Sequence, residues 1–406
     1  MTHSKFFILF SLILFSMMMC FPNMLSMYKA IIMLILGLMT LSLRRVRVYK
    51  IIQYLYISYV FFGLYQIFTG LIFDNKKPFD WLTVTILWPI FFFICLPNYN
   101  NDRSWLLINR TIFFSHIFIV TYDLIFCFGV IFGFDVPNIY ASVMDGQIPF
   151  TFYEGFSSRL NFVNLNTITF TTPFLFVLWL SNKDYGIKRF PLMIVLIMTF
   201  VLFIISGRRS VMLIFALCPI LIILFKDLFP KQTIITIKKS LLFFSIMVFV
   251  GLFIFYSINP DLFLGYFDTF IRAFDSEREP IKFAQNKMFI KYISENPFFG
   301  VGGGAEFYEP YPGRGTYGTD FELTYHLALA RSGIFGIAFW IFSLFGVIFI
   351  AYQSIKKYKD LVLLGIVYGY LFMLVANATN PVFCCFDFML SYLLCTARIN
   401  FLNTRS

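Results

Sequence analysis

Apolar positions along this chain run in long unbroken blocks, without the stripe of a soluble helix or the strict alternation of a half-buried strand. Blocks long enough to cross a bilayer, or nearly so, fall at about residues 5–21, 28–43, 51–73, 80–97, 111–133, 165–181, 191–207, 209–225, 241–258, 333–353, 361–376 and 383–400. A crossing helix needs about 20 predominantly apolar residues. The pattern therefore predicts an all-α, polytopic integral membrane protein with about 12 transmembrane helices, forming one transmembrane domain over residues 1–406. The polar breaks are short except at 134–164 and 259–322, where two long external loops are expected. Loops longer than about 15 residues are usually functional or disordered. The second contains NPFFGVGGG, too apolar and too patterned for a disordered linker. Within it, residues 281–295 space Ile281, Ala284, Met288 and Tyr292 at helical intervals, so an amphipathic helix at the membrane surface is predicted before the tenth span. No internal repeat is visible, which weighs against an inverted-repeat transporter.

Composition narrows the class. Hydrophobic residues make up 59% of the chain and charged residues 13%, against roughly 25% charged in soluble domains. The formal charge of +11 arises from short basic clusters between apolar blocks, such as RRVRVYK at 44–50. With the amino terminus in the cytoplasm and sides alternating, 19 of the 32 basic residues fall on the cytoplasmic side. This is the positive-inside pattern, and it puts both termini in the cytoplasm. Clusters so placed do not form a phosphate-binding face for nucleic acid. The seven cysteines show no CxxC pair or Cys/His metal spacing and read as small apolar residues. Lys5 followed by an apolar run resembles a signal peptide, but small residues are missing before any cleavage point, so the run is expected to stay as a span.

Ionisable groups away from the cytoplasmic face are costly near a bilayer and call for a reason. Arg208 and Arg209 stand in SGRRS at an external boundary, Arg159 lies in SSRLNFVNLN at the end of the first long loop, and Arg272, Arg278, Lys282 and Arg314 belong to the second. Together they suit an external cavity in which guanidinium forks grip phosphate oxygens. Single boundary arginines such as Arg272 and Arg331 read equally well as snorkelling to headgroups. In GTDFELTYHLALARSGIFG, Glu322 and His326 sit at helical i and i+4 spacing, a carboxylate beside an imidazole that suits general base chemistry or a simple polar contact. His116 reads as a hydrogen-bonding residue inside the fifth span. A P-loop, a metal-ligand cluster and a GxSxG elbow are all missing, so no metal and no cofactor is expected.

Three passages carry a family likeness. SGRRSVML at 206–213, SSRLNFVNLNTI at 157–168, and ENPFFGVGGGAEF at 295–307 followed by TDFELTYHLALARSGIFGIAFW at 319–340 resemble, in order and membrane side, the O-antigen polymerase and O-antigen ligase superfamily of Wzy-type bacterial membrane glycosyltransferases. The likeness spans roughly residues 134–353 and ends in a G-x-x-G at Gly333 and Gly336. Ligases of this family carry a histidine about eleven residues before that first glycine; the position here is Glu322, with His326 one turn later, which favours a polymerase. The family's basic residue ahead of NP falls on Lys282 or on Arg278, and the sequence does not choose.

The resemblance implies a polysaccharide polymerase at the outer face of the bacterial cytoplasmic (inner) membrane, making O-antigen, capsule or exopolysaccharide. It would transfer a growing glycan from undecaprenyl pyrophosphate onto a lipid-linked repeat unit. The implied partners are undecaprenyl-pyrophosphate-linked oligosaccharide, the lipid bilayer and a chain-length regulator. In this scheme Arg159, Arg208 and Arg209 neutralise the leaving pyrophosphate, Arg278 and Arg314 clamp a donor or acceptor, and Glu322 with His326 deprotonates the attacking hydroxyl. Tyr308, Tyr311 and Tyr317 read either as sugar-stacking residues or as interfacial anchors. The alternatives are an O-antigen ligase-type transferase and, from a different class, a flippase for lipid-linked oligosaccharide, which would place its charges inside the spans.

Overall fold

The computed structural model describes residues 2–42, 47–144, 148–153, 157–181, 185–206, 217–218, 220, 222, 226–229, 231–258, 260, 263–264, 280–307, 321–378 and 380–405. Its helices are α1 (Thr2–Cys20), α2 (Ser26–Ser42), α3 (Lys50–Ile72), α4 (Trp88–Cys95), α5 (Asp102–Phe132), α6 (Leu165–Ser181), α7 (Arg189–Ser206), α8 (Lys231–Ile258), α9 (Pro280–Glu295), α10 (Thr324–Tyr358), α11 (Leu361–Ala376) and α12 (Leu390–Thr404). Helix α4 is entered through a π-helical turn, Thr83–Leu87. Pro89, just after that turn, has no N–H to offer its i−4 carbonyl, which accounts for the widened register.

Among the described residues, α3, α5, α7 and α10 are long and apolar enough to cross a membrane. Lys5–Cys20, Ser26–Leu41, Thr83–Tyr99, Leu165–Ser181 and Leu361–Ala376 are apolar but shorter. The block expected at 209–225 falls largely outside the described residues. Two boundaries differ from the apolar pattern. Helix α5 starts nine residues early, at Asp102, because the Asn101 side chain accepts from Ser104 N at 2.7 Å and caps a polar first turn. Residues 382–389 form two 3-10 turns, so α12 begins only at Leu390.

The first long loop also departs from the all-α expectation. Phe150–Tyr153 pairs antiparallel with Ser157–Leu160, placing Thr151 opposite Arg159. Its aromatic and Thr/Ser-rich segments alternate over too few residues for a helix and suit a pleated ribbon.

Helix α6 is buried along nearly its whole length and packs against α11. Gly365 and Gly369 allow the approach: a Cβ at Gly365 would stand 3.1 Å from Phe174 O, and one at Gly369 would collide with Phe170 O. Lipid is as apolar as leucine, so close backbone packing at small residues supplies attraction that burial cannot. Helix α3 packs on α10 through Phe62 stacked on Trp340, centroids 5.3 Å apart, and through Ser58 Oγ donating to Phe339 O at 2.8 Å. His116 ties α5 to α6 and α7 through Thr171 at 2.7 Å and Thr199 at 2.8 Å, the hydrogen-bonding role expected of it.

The described connections gather at two ends of the bundle. One end joins Arg398 to Asp360 at 2.6 Å, Arg405 to Asp102 at 2.8 Å and Tyr49 N to Asn400 at 2.8 Å. The other brings together the turns after α1 and α3, the described parts of both long loops and the turn before α12. There Tyr140 donates to Cys20 O at 2.8 Å, and buried Lys29 meets Asp387 at 2.7 Å.

Candidate functional site

The second long loop meets the bundle at a break in α10. Gly333 lies at φ 58, ψ −171, a conformation essentially reserved for glycine, and interrupts the helix nine residues after its start. Such a break frees carbonyls before it and N–H groups after it, which lipid cannot satisfy. The segment 297–302 satisfies them. Val301 N donates to Ala330 O at 2.9 Å and Gly302 N to Arg331 O at 2.8 Å, while Pro297 O accepts from Ile334 N at 2.9 Å and Phe298 O from Phe335 N at 3.2 Å. The other side of the segment lies on the end of α3. Gly303 N donates to Gln66 O at 2.8 Å, and Asn75 Nδ2 donates to Val301 O at 2.9 Å and Gly303 O at 3.1 Å. A Cβ on Gly302 would come within 2.7 Å of the Gly70 backbone. The glycines of GVGGG are thus the clearance for a loop wedged between two helices.

Helix α9 closes the loop. It forms as expected, but the buried residues are Gln285, Met288 and Phe289, with Ala284 exposed, so its packed face is rotated from the one read off the spacing. Phe289, Phe307 and Phe321 meet nearly edge to face at 5.2–5.5 Å, and Tyr292 joins Phe307 at 5.0 Å. The fully buried Gln285 side chain accepts from Glu322 N at 3.0 Å and Leu323 N at 3.3 Å, fixing the entry into α10.

Charge is concentrated at this entry. Lys282 Nζ lies 3.7 Å from Glu322 Oε2, and both side chains are partly open to solvent. Glu322 precedes the helix, which starts at Thr324, so the i, i+4 pairing with His326 on one helical face does not form. His326 stands in the first turn, with Nδ1 buried and without a hydrogen-bond partner among the described residues. Arg331 is not a snorkelling residue: it is fully buried, paired with Asp80 Oδ2 at 2.9 Å and laid over the Trp81 ring at 5.2 Å. Its Nε and Nη1, like Asp80 Oδ1, have no partner among the described residues. Nothing local in the sequence links Arg331 to Asp80; the only hint was a charge inside an apolar block.

The structure thus brings Lys282 and Glu322 together and leaves His326 a turn away. Arg159 occupies the second strand of the ribbon, in register with Thr151. Arg208, Arg209, Arg272, Arg278 and Arg314 lie outside the described residues, as do Tyr308, Tyr311 and Tyr317.

Apolar helices of crossing length, collected loops at each end and a buried charge pair beneath a docked loop define a multi-pass membrane protein. A family model described as O-antigen ligase matches residues 193–341, from within α7 to the stretch of α10 beyond its break. That segment belongs to the O-antigen ligase and polymerase superfamily. No curated protein matches the chain.

Proposed function

We propose that the protein is a polysaccharide polymerase acting on lipid-linked oligosaccharide at the end of the bundle that carries the long loops. The observation that supports this most directly is Glu322, a partly open carboxylate whose backbone is clamped by buried Gln285 and whose side chain faces Lys282. It occupies the place where ligases of the superfamily carry histidine. In the proposed reaction a hydroxyl of the acceptor's terminal sugar loses its proton to Glu322 and attacks the anomeric carbon of the donor glycan. The carbon–oxygen bond to pyrophosphate breaks, and undecaprenyl pyrophosphate leaves with that electron pair. Pyrophosphate is already a good leaving group, so positioning and charge neutralisation by Arg159, Arg208, Arg209, Arg278 and Arg314 supply the remaining assistance without a metal. Both termini then lie in the cytoplasm of a bacterium, and the long loops face outward.

Deleting the gene should collapse the surface glycan to a single repeat on its anchor. Complementation with Glu322→Ala should leave it collapsed, since loss of a general base costs about 10² to 10⁴ in rate. A full ladder from the Glu322→Ala strain would overturn the assignment.

A ligase reading draws support from one observation, the buried Nδ1 of His326 beside the same entry, which has no hydrogen-bond partner among the described residues. It makes the opposite prediction: His326→Ala abolishes transfer and Glu322→Ala is tolerated.

A further inference from the structure

A cavity of about 360 Å³ opens at the same end of the bundle, at the far end of α9 from the Lys282–Glu322 pair. Its walls are the turn after α3, with Phe73, Asp74, Asn75 and Lys76, and the end of α9 with the docked loop, including Tyr292, Asn296 and Glu306. We infer that this cavity is a glycan-binding subsite that takes a neutral or amino sugar of the oligosaccharide chain. The inference rests on the transferase reading only for the source of the glycan.

The chemistry of the lining carries the assignment. Carboxylate and amide groups with unused capacity suit a ring bearing several hydroxyls. The Asp74 carboxylate and the Asn296 side-chain amide make no hydrogen bond or ion pair among the described residues. Phe73 is half exposed, offering an apolar ring for the C–H face of a sugar, beside the Tyr292 phenol. Asn75 is pinned to the docked loop through Val301 O and Gly303 O, and Lys76 pairs with Glu306 at 2.8 Å. Asp74 itself sits at φ 53, in the left-handed region, and such outliers concentrate at ligand sites.

Charge decides which part of the substrate fits. Among the described lining residues, Asp74 and Glu306 against Lys76 carry a net negative charge, which repels a pyrophosphate and accepts hydroxyls and ammonium groups. The size lies at the lower end of the roughly 300–1,000 Å³ of small-molecule sites. Position agrees. Lys282 and Tyr292 are separated by ten residues of α9, about 15 Å at the helical rise. A substrate touching both places must be a chain of several sugars, with its reacting end at Glu322 and an interior sugar in the cavity.

The test uses the full-length protein in detergent, with the oligosaccharide freed by mild acid from the producing cell's own lipid-linked repeat unit as the probe. Binding is read by saturation-transfer NMR and by titration. The wild type should bind saturably. The Asp74→Gly/Asn296→Ala variant keeps the left-handed turn and should bind about tenfold or more weakly, as for a lost charge-assisted hydrogen bond. Its melting temperature should match the wild type, because neither side chain makes a hydrogen bond or ion pair among the described residues. Asp74→Asn, which loses only charge, should weaken binding in the same direction. Equal Kd in wild type and both variants, or no saturable binding by the wild type, overturns the subsite. The two readings fail separately: a glycan ladder surviving gene deletion sinks the transferase and leaves the binding result standing.

Discussion

Replacing Gly333 by alanine tests the central joint of the structure. An alanine cannot hold φ 58, ψ −171 without strain of about 1–3 kcal/mol, and its Cβ would collide with Phe298 O and lie 2.6 Å from Gly300 N. The chain has two responses. It can keep the break and push the loop away, losing part of the four hydrogen bonds that Val301, Gly302, Ile334 and Phe335 donate across the joint, each about 0.5–1.5 kcal/mol. Alternatively α10 becomes regular through residue 333, which satisfies its own backbone but strips the same four partners from the loop. Either route costs about 2–5 kcal/mol. It also displaces the segment that carries Glu322, so the glycan ladder should shorten or collapse. Gly37→Ala is the matched control. It lies within α2, where a Cβ would meet nothing within 4 Å, so the same substitution should stabilise by about 0.5–1 kcal/mol. Heat-induced unfolding of the detergent-solubilised variants reads both. Equal melting temperatures for Gly333→Ala and wild type, with a normal ladder, would refute the claim that the loop and the break form one unit.

Two further predictions concern buried charge. Asp387→Ala strands the fully buried Lys29 ammonium, 2.7 Å from the lost carboxylate, and should destabilise by about 3–5 kcal/mol. Lys29→Met combined with Asp387→Leu should recover most of that in the same unfolding assay. At the other pair, Arg331→Lys keeps a cation near Asp80 but loses the planar stack on Trp81, a loss of about 0.5–2 kcal/mol. Arg331→Met removes the cation altogether, so the order of melting temperatures should be wild type, then lysine, then methionine.

Much of this fold was legible because the bilayer imposes a length and a polarity that apolar blocks report directly. The expected blocks 165–181 and 361–376 coincide with α6 and α11. The failures have local causes. Asp102 to Arg110 is too polar to score as part of a span, yet an asparagine cap makes it helical. Residues 383–389 are apolar enough to score, but they fold into 3-10 turns around the buried Lys29–Asp387 pair. The ribbon at 150–160 is set by cross-strand pairing, which no single window of sequence contains. Arg331 shows the same limit at the site. Its residue type was visible, but whether it snorkels or pairs depends on Asp80, which lies 251 positions away.

The two glycine-bearing stretches, NPFFGVGGG and the G-x-x-G of α10, read in sequence as separate motifs. In space they are complementary halves of one hydrogen-bonded unit. An interrupted helix needs external partners for its freed backbone groups, and a loop wedged between helices needs somewhere to send its own. Each meets the other's need: Val301 and Gly302 donate to the carbonyls before the break, and Pro297 and Phe298 accept from the amides after it. This joint fixes the start of α10 from one side, and Gln285 fixes it from the other through the amides of Glu322 and Leu323. A carboxylate held between two such clamps needs little reorganisation to meet a substrate, which is the property that positioning-based transfer requires. The helix break is therefore an anchor for the candidate site, and its integrity should matter to activity as much as the identity of the residue at 322.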